Sequence, residues 1–219
     1  MTRKFEHALV IGASSGIGEA VTRRLAAAGA RVALVARRAA ELDRVRVEIE
    51  REHGPGRGFV YPHDVRSTAE VDELLPHIAR DLGGLDLVVY AAGVMRRVAP
   101  EGYDTAVDHE MLAVNLLGAV AWLNPVAARF AQLGRGTIVG VGSIAGDRGR
   151  CANPVYNTSK AGLATYLEAL RNRLARRGVK VVTVKPRFVD TGMTLGLPGL
   201  FWVISADRAA ELLLRAARR

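Results

Sequence analysis

Short β-branched runs alternate along this chain with longer stretches whose apolar residues recur every three or four positions. The first pattern, bounded by turn residues, reads as strands; the second reads as helices with one buried face. Strands are predicted at 7–11, 31–36, 58–62, 85–90, 137–141 and 180–185, and helices near 17–28, 39–53, 68–82, 103–132, 155–177 and 206–217. Regular alternation of the two points to a parallel sheet covered on both faces, because a parallel crossover needs a helix-length connection. The expectation is a single doubly wound α/β domain over residues 1–219. Local signals agree with it. Ser67 followed by Glu70 fits a capping box, Ser205 fits the cap of the last helix, and Gly29 and Gly178 fall where helices should stop. After Pro154, positions 156, 160, 163, 167, 170 and 174 form one helical stripe.

Composition narrows the class. The chain has 219 residues, 49% hydrophobic and 24% charged, enough for one sizeable core and short for two. Its single cysteine, Cys151, cannot close an internal disulfide, and His7, His53, His63, His77 and His109 show no ligand spacing, so no metal is expected. The N-terminal stretch lacks a signal-peptide core, and no run of about 20 apolar residues is read for a membrane span. A cytoplasmic protein without a transmembrane segment is expected. The net charge of +9 raises nucleic acid or an anionic membrane as partners. The arginines are interleaved with acids, as in RRAAELDRVRVEIERE, so a solvated basic surface and no nucleic-acid partner is the reading.

Two stretches carry chemistry. IGASSGIG follows the first strand and leads into a helix, with glycines at 12, 16 and 18. In that context Gly12 permits the tight turn, Gly16 leaves room for a pyrophosphate and Gly18 lets helix and strand approach. The helix N-terminus adds unpaired N–H groups and a favourable dipole. The second strand then ends in Ala36, Arg37 and Arg38, where an NAD site would place an acid for the ribose 2′-hydroxyl. An arginine there attracts and forks onto a 2′-phosphate, so the cofactor expected is NADP.

The other stretch is YNTSK, in which Tyr156 and Lys160 stand one helical turn apart. A lysine beside a phenol favours the phenolate and lowers its pKa toward neutrality, as acid–base work requires. By itself, the pair reads more simply as two positions on a surface helix.

Together these residues resemble the classical short-chain dehydrogenase/reductase family, over essentially the whole chain. The family's glycine motif matches Gly12, Gly16 and Gly18, and its YxxxK signature matches Tyr156 and Lys160. Its catalytic serine falls on Ser143 in VGSIAG, its catalytic asparagine on Asn115 in MLAVNLLG, and its adenine-contacting aspartate on Asp64. Pro186, Val189 and Thr191 match the residues that in the family meet the nicotinamide carboxamide. The resemblance implies a Rossmann fold and reduction of a ketone or aldehyde, or oxidation of the matching alcohol, by hydride transfer. Tyr156 would donate the proton, Lys160 would bond the nicotinamide ribose and lower the phenol pKa, Ser143 would hold the oxyanion, and Asn115 would support a water relay. The remaining cofactor contacts so implied are Ser14, Ser15, Ile17, Arg37, Val65, Ala91, Ala92 and Gly93. A non-catalytic NADP(H)-binding sensor or scaffold is the alternative. The segments GDRGRCANPVYNTSKAGLATYLEALRNRL and KPRFVDTGMT are similar to the bacterial branch that includes decaprenylphosphoryl 2-keto-ribose reductase.

This chain also departs from the family pattern. Ile11 stands for the usual threonine, Tyr90 for the asparagine of the NAAG segment, and Arg187 for the glycine after Pro186, where a long cation crowds the pocket or reaches toward substrate. The chain stops at Arg219, before the seventh strand that family members normally carry, so the C-terminal strand is expected to be missing. A homodimer or homotetramer is expected through the helices near 103–132 and 155–177, which carry Trp122, Phe130, Tyr166 and Leu170 beyond one buried stripe. Finally, 192–204, GMTLGLPGLFWVI, combines helix-breaking glycines and Pro198 with large apolar side chains. It is expected to form a mobile lid over a small-molecule substrate with an apolar part.

Overall fold

A computed structural model describes residues 4–96, 102–194 and 202–219. Six parallel strands form the central sheet in the order β3-β2-β1-β4-β5-β6: β1 (His7–Ile11), β2 (Arg31–Ala36), β3 (Gly58–Pro62), β4 (Leu87–Tyr90), β5 (Gly136–Val141) and β6 (Val179–Val184). The helices are α1 (Gly16–Ala27), α2 (Ala39–His53), α3 (Val71–Leu82), α4 (Thr105–Leu112), α5 (Gly118–Leu133), α6 (Pro154–Leu174) and α7 (Ala206–Arg218). Strand order reverses between β1 and β4, which opens a crevice at the carboxyl ends of those strands. The doubly wound Rossmann arrangement is therefore as expected. Among the described residues β6 is an edge strand, with no seventh strand beyond it.

Strand alternation builds two cores. Leu9, Ile11, Val88, Tyr90 and Ile138 face α3, α5 and α6. Ala8, Val10, Leu87, Val89 and Val139 face α1, α2 and α7. The inner strands β1, β2, β4 and β5 thus bury both faces, which is why they read as near-continuous apolar runs.

Several expectations need correction. Ser67 makes no side-chain cap; a short 3₁₀ turn, Thr68–Glu70, precedes α3 instead. The cap at Ser205 does form, its Oγ accepting from Arg208 N at 3.1 Å. The predicted helix near 103–132 runs from Thr105 to Leu133, and by length and composition it could cross a membrane. Its window 111–128 contains no charged residue, which the sequence reading overlooked. Trp122, Leu123 and Val126 of that window, with Phe130 just beyond it, are buried against the sheet, so it serves as a core helix here. The same burial removes Trp122, Phe130 and Leu170 as spare apolar surface for an oligomer.

The predicted lid is partly ordered as sheet. Val203–Ser205 forms β8, paired in parallel with β7 (Phe188–Asp190), so Val203 and Ile204 belong to a strand. Residues 195–201, with Leu195, Leu197, Pro198, Leu200 and Phe201, lie outside the described residues.

Candidate functional site

The glycine loop is a packing solution before it is a binding surface. Gly12 has φ +94°, and a Cβ on it would stand 2.5 Å from Ala92 N. A Cβ on Gly18 would stand 2.1 Å from Gly12 O. Both positions therefore exclude any side chain. Gly16, at φ +57°, faces Thr191 across the crevice, with 3.1 Å between a hypothetical Cβ and Thr191 Cγ2. Ser15, at the start of α1, provides no side-chain cap. Its hydroxyl and that of Ser14 instead accept from Arg38 Nη2, each at 3.0 Å.

This loop forms one end of a cleft of about 1200 Å³. Arg37 and Arg38 line that end beside His63 and Val65. The floor is Gly12, Ala91, Ala92 and Gly93, and the far end carries Ser143, Tyr156, Lys160, Pro186, Val189 and Thr191. Ser14, Ser15, Gly16 and Ile17 also line it. Three expected site residues do not reach the lining: Gly18, which is buried beneath the loop, and Asp64 and Asn115. Asp64 is turned to Arg66, whose Nη2 lies 2.6 Å from its carboxylate, and this bond holds its pKa below the usual range.

The far end is assembled by α6. Asn153 caps that helix, its Oδ1 accepting from Tyr156 N at 3.2 Å, and Pro154 occupies the first turn, where its missing N–H is harmless. Tyr156 and Lys160 are 8% and 4% exposed. Burial raises the Tyr156 phenol pKa, and a hydrogen bond with Ser143 opposes the rise. Lys160 Nζ donates to Val141 O at 3.0 Å and lies 5.9 Å from the Tyr156 ring centroid. The sequence expectation that Lys160 lowers the phenol pKa thus differs from the geometry: the amine bonds a strand carbonyl, and desolvation dominates the phenol. Burial lowers the Lys160 pKa itself to about 8.

Asn115 sits where the Thr105–Leu133 helix widens for one turn. Gly118 N–H reaches back five residues to Ala113 O, and the bypassed Val114 carbonyl accepts from Tyr90 Oη at 2.6 Å. Such π-turns often mark functional positions. Asn115 Nδ2 donates to Val94 O at 2.9 Å and to Ser159 Oγ at 3.0 Å, while its Oδ1 accepts from Val94 N at 2.7 Å. Lys160 Nζ and Asn115 Oδ1 both flank Gly93, 3.3 and 3.4 Å from a hypothetical Cβ there.

Sequence reasoning missed three supporting side chains: Arg38 on the loop serines, Ser159 between Asn115 and the Tyr156 carbonyl, and the Tyr90 hydroxyl. A tyrosine ending an otherwise aliphatic strand was the signal available for Tyr90, since a buried phenol needs a partner.

The short chain dehydrogenase family model matches residues 6–197. An uncharacterized oxidoreductase of Staphylococcus aureus (strain MW2) is 32% identical over 187 residues, 85% of this chain and 79% of that protein. Among solved structures, a short-chain type dehydrogenase/reductase from Mycobacterium ulcerans superposes with a TM-score of 0.90 at 22% identity, covering 99% of this chain and 84% of that one. A variant of the actinorhodin polyketide ketoreductase, solved with NADPH, gives 0.86 at 28% identity, covering 99% and 92%. The crevice, its glycine floor and the extent of these matches lead to one conclusion: the chain belongs to the short-chain dehydrogenase/reductase family of oxidoreductases.

Proposed function

We propose that this oxidoreductase reduces a ketone or aldehyde with NADPH, or runs the reverse oxidation, using Ser143, Tyr156, Lys160 and Asn115. The observation that carries the reading is the pairing of the cleft's two ends. Arg37 and Arg38 stand at one, where no aspartate or glutamate among the described residues lines the cleft, and buried Ser143, Tyr156 and Lys160 gather at the other. The floor fits a dinucleotide, because the small residues Gly12, Ala91, Ala92 and Gly93 line the path between those ends. NADPH, when bound, supplies the hydride.

The chain's own residues then have the following work. The phenol of Tyr156, kept protonated by burial, donates to the carbonyl oxygen. Ser143 gives that oxygen a second hydrogen bond as charge develops on it. Lys160, with a pKa of about 8, can resupply a proton near neutral pH, and Asn115 holds the turn of helix beside it. Arg37 with Arg38 would bind the 2′-phosphate, Arg38 also bracing the loop serines. Val65 would flank the adenine, Asp64 would have to turn from Arg66 to join it, and Pro186, Val189 and Thr191 would flank the carboxamide.

NADPH oxidation on a panel of carbonyl compounds tests this reading. Turnover that NADH supports far more weakly is the expected result. Tight NADPH binding without oxidation of any member would leave a nucleotide-binding protein only. We also propose a homodimer or homotetramer through α5 and α6, where Leu117, just before α5, and Leu133, at its end, are 57% and 48% exposed. A monomer by light scattering at micromolar concentration would overturn that assembly.

A further inference from the structure

Tyr90 ends β4 with no exposed surface, and its hydroxyl donates to Val114 O at 2.6 Å. A regular α-helix would give that carbonyl to the Gly118 N–H, four residues on. Here the Gly118 N–H passes it by and takes Ala113 O. The hydroxyl therefore fills the place of a helical hydrogen bond, one residue before Asn115. Gly118 is matched to this arrangement, since a Cβ on it would stand 2.8 Å from Tyr90 Oη and 2.9 Å from Val65 O. Burial raises the Tyr90 phenol pKa, so the group remains protonated, a donor, at neutral pH.

The same segment grips Asn115 directly. Val94, four residues after Tyr90, accepts from Asn115 Nδ2 at 2.9 Å and donates to its Oδ1 at 2.7 Å. Ser159 Oγ accepts from the same amide at 3.0 Å and donates to Tyr156 O at 2.8 Å. All three bonds depend on the direction in which Asn115 leaves its helix, and that direction depends on the wide turn. Closing the turn to α-helical spacing would drop one residue from it, and each residue accounts for roughly 100° about the helix axis. A Val114 carbonyl deprived of the hydroxyl favours that closure, because a buried carbonyl without a partner is costly and the α-helical bond would satisfy it. The resemblance leads one to expect asparagine at 90, so the phenol contact is a feature of this chain.

We propose that Tyr90 is a positioning residue for the reaction: its hydroxyl keeps the Ala113–Leu117 turn wide and so holds the Asn115 amide beside Gly93, where Lys160 also reaches. The proposal rests on the reductase reading, in which Asn115 works next to Lys160. Tyr90 does not line the cleft, so its effect on turnover passes through Asn115.

The test compares Tyr90→Phe, Asn115→Ala and the double variant, with Ile138→Val as a control that weakens the same core elsewhere. Phenylalanine keeps the ring, so the core stays filled. NADPH oxidation is followed on the carbonyl compound that the unaltered protein turns over best. Tyr90→Phe should lower kcat roughly 10- to 100-fold, the scale of a small misplacement near reacting atoms, with KM and NADPH affinity by fluorescence titration within a few-fold. The double variant should be no slower than Asn115→Ala, as expected of two groups that act as one unit. Ile138→Val should keep its kcat while lowering the melting temperature. A kcat that Tyr90→Phe or Asn115→Ala leaves unchanged, losses that multiply in the double variant, or an equal loss in Ile138→Val overturns the proposal and leaves the reductase reading intact. Absence of turnover for every carbonyl compound counts against the reductase reading. Amide exchange by NMR then decides on Tyr90 alone. The Asn115 side-chain protons, assigned by their loss in Asn115→Ala, should exchange about tenfold faster in Tyr90→Phe and at the original rate in Ile138→Val. Exchange that Tyr90→Phe does not speed overturns the positioning role.

Discussion

Gly12 and Gly18 occupy positions where a single added carbon would approach backbone atoms to 2.5 and 2.1 Å, whereas Trp202, whose ring lies against Arg187 of the cleft's opposite end, is 78% exposed. The glycine-loop end is fixed by backbone. Its turn, its close approach to Ala92 and the start of α1 admit one residue type at key positions. The far end is fixed in its floor, where Ser143, Tyr156 and Lys160 are buried, and open in its walls, where Arg150 and Arg187 are exposed. A region built by exclusion tolerates one sequence. A region built by exposed side chains can be rewritten without disturbing the fold, and there substrate choice can change between relatives.

The largest effect expected is on the buried floor. Tyr156→Phe keeps the ring and removes the O–H, so turnover should fall by roughly 10²–10⁴-fold, the usual contribution of a positioned acid. NADPH binding should stay within a few-fold. Near-normal NADPH oxidation by this variant would mean that another group supplies the proton.

At the glycine end the effect should appear as stability before activity. Gly18→Ala drives a methyl into the Gly12 carbonyl, and overpacking of that kind costs about 3 kcal/mol. Denaturant unfolding should show the loss with or without NADPH. Gly192→Ala is the control, since no described residue lies within 4 Å of its hypothetical Cβ. If both variants unfold at the same denaturant concentration, the contrast drawn between the two ends is wrong.

This contrast also accounts for what could be read in the sequence. Strand runs, glycine loop and the YxxxK pair were legible because each follows from a short-range rule: alternation, φ > 0, or i,i+4 spacing. The pair β7–β8 was not legible. Three-residue strands carry too little pattern, and Val203 and Ile204 look like loop residues beside Gly196 and Gly199. The partners of Asn115 were equally hidden, since Val94 and Ser159 lie 21 and 44 residues away. The direction of the Tyr156 pKa was misread for a related reason. Sequence spacing reports that Lys160 shares a face, but not that its amine turns to Val141 O.

Lys160 links stability to pH in a definite sense. Its pKa falls from the ordinary 10.5 to about 8 on folding, so the unfolded chain binds the proton more tightly. Stability from this group is therefore lowest below pH 8 and rises between pH 8 and 10.5, by on the order of 2–3 kcal/mol. Lys160→Met should remove that rise. Unfolding curves for both proteins at pH 7.5 and 10 test it: a gap between them that stays constant with pH would show that Lys160 is not desolvated as described.

Cofactor choice should respond more moderately. Ala36→Asp sets a carboxylate at the end of β2, beside Arg37, where it would repel a 2′-phosphate and accept from a 2′-hydroxyl. The NADP-to-NAD preference should shift by roughly 10- to 100-fold, the equivalent of one or two charge-assisted hydrogen bonds. Equal or tighter NAD binding by the unaltered protein would already remove the premise.

The smallest effect belongs to the exposed wall. Trp202 has φ +55°, which is uncommon for any residue but glycine, and its ring lies against the Arg187 guanidinium just ahead of β8. A cation–π contact at so exposed a site contributes about 0.5–1 kcal/mol. Trp202→Ala should therefore lower the melting temperature by no more than about 3 °C, since 1 kcal/mol corresponds to roughly 2–4 °C in a domain of this size. Its mark should fall on Arg187 instead. A guanidinium that loses one of its ring contacts samples more orientations, so KM for a substrate that meets this wall should rise about two- to fivefold, with kcat nearly constant. Trp202→Phe restores a ring face and should recover most of that loss. A large stability loss in Trp202→Ala would show that the wall is built by exclusion too. A KM unmoved in both variants would show that Arg187 needs no ring to hold it.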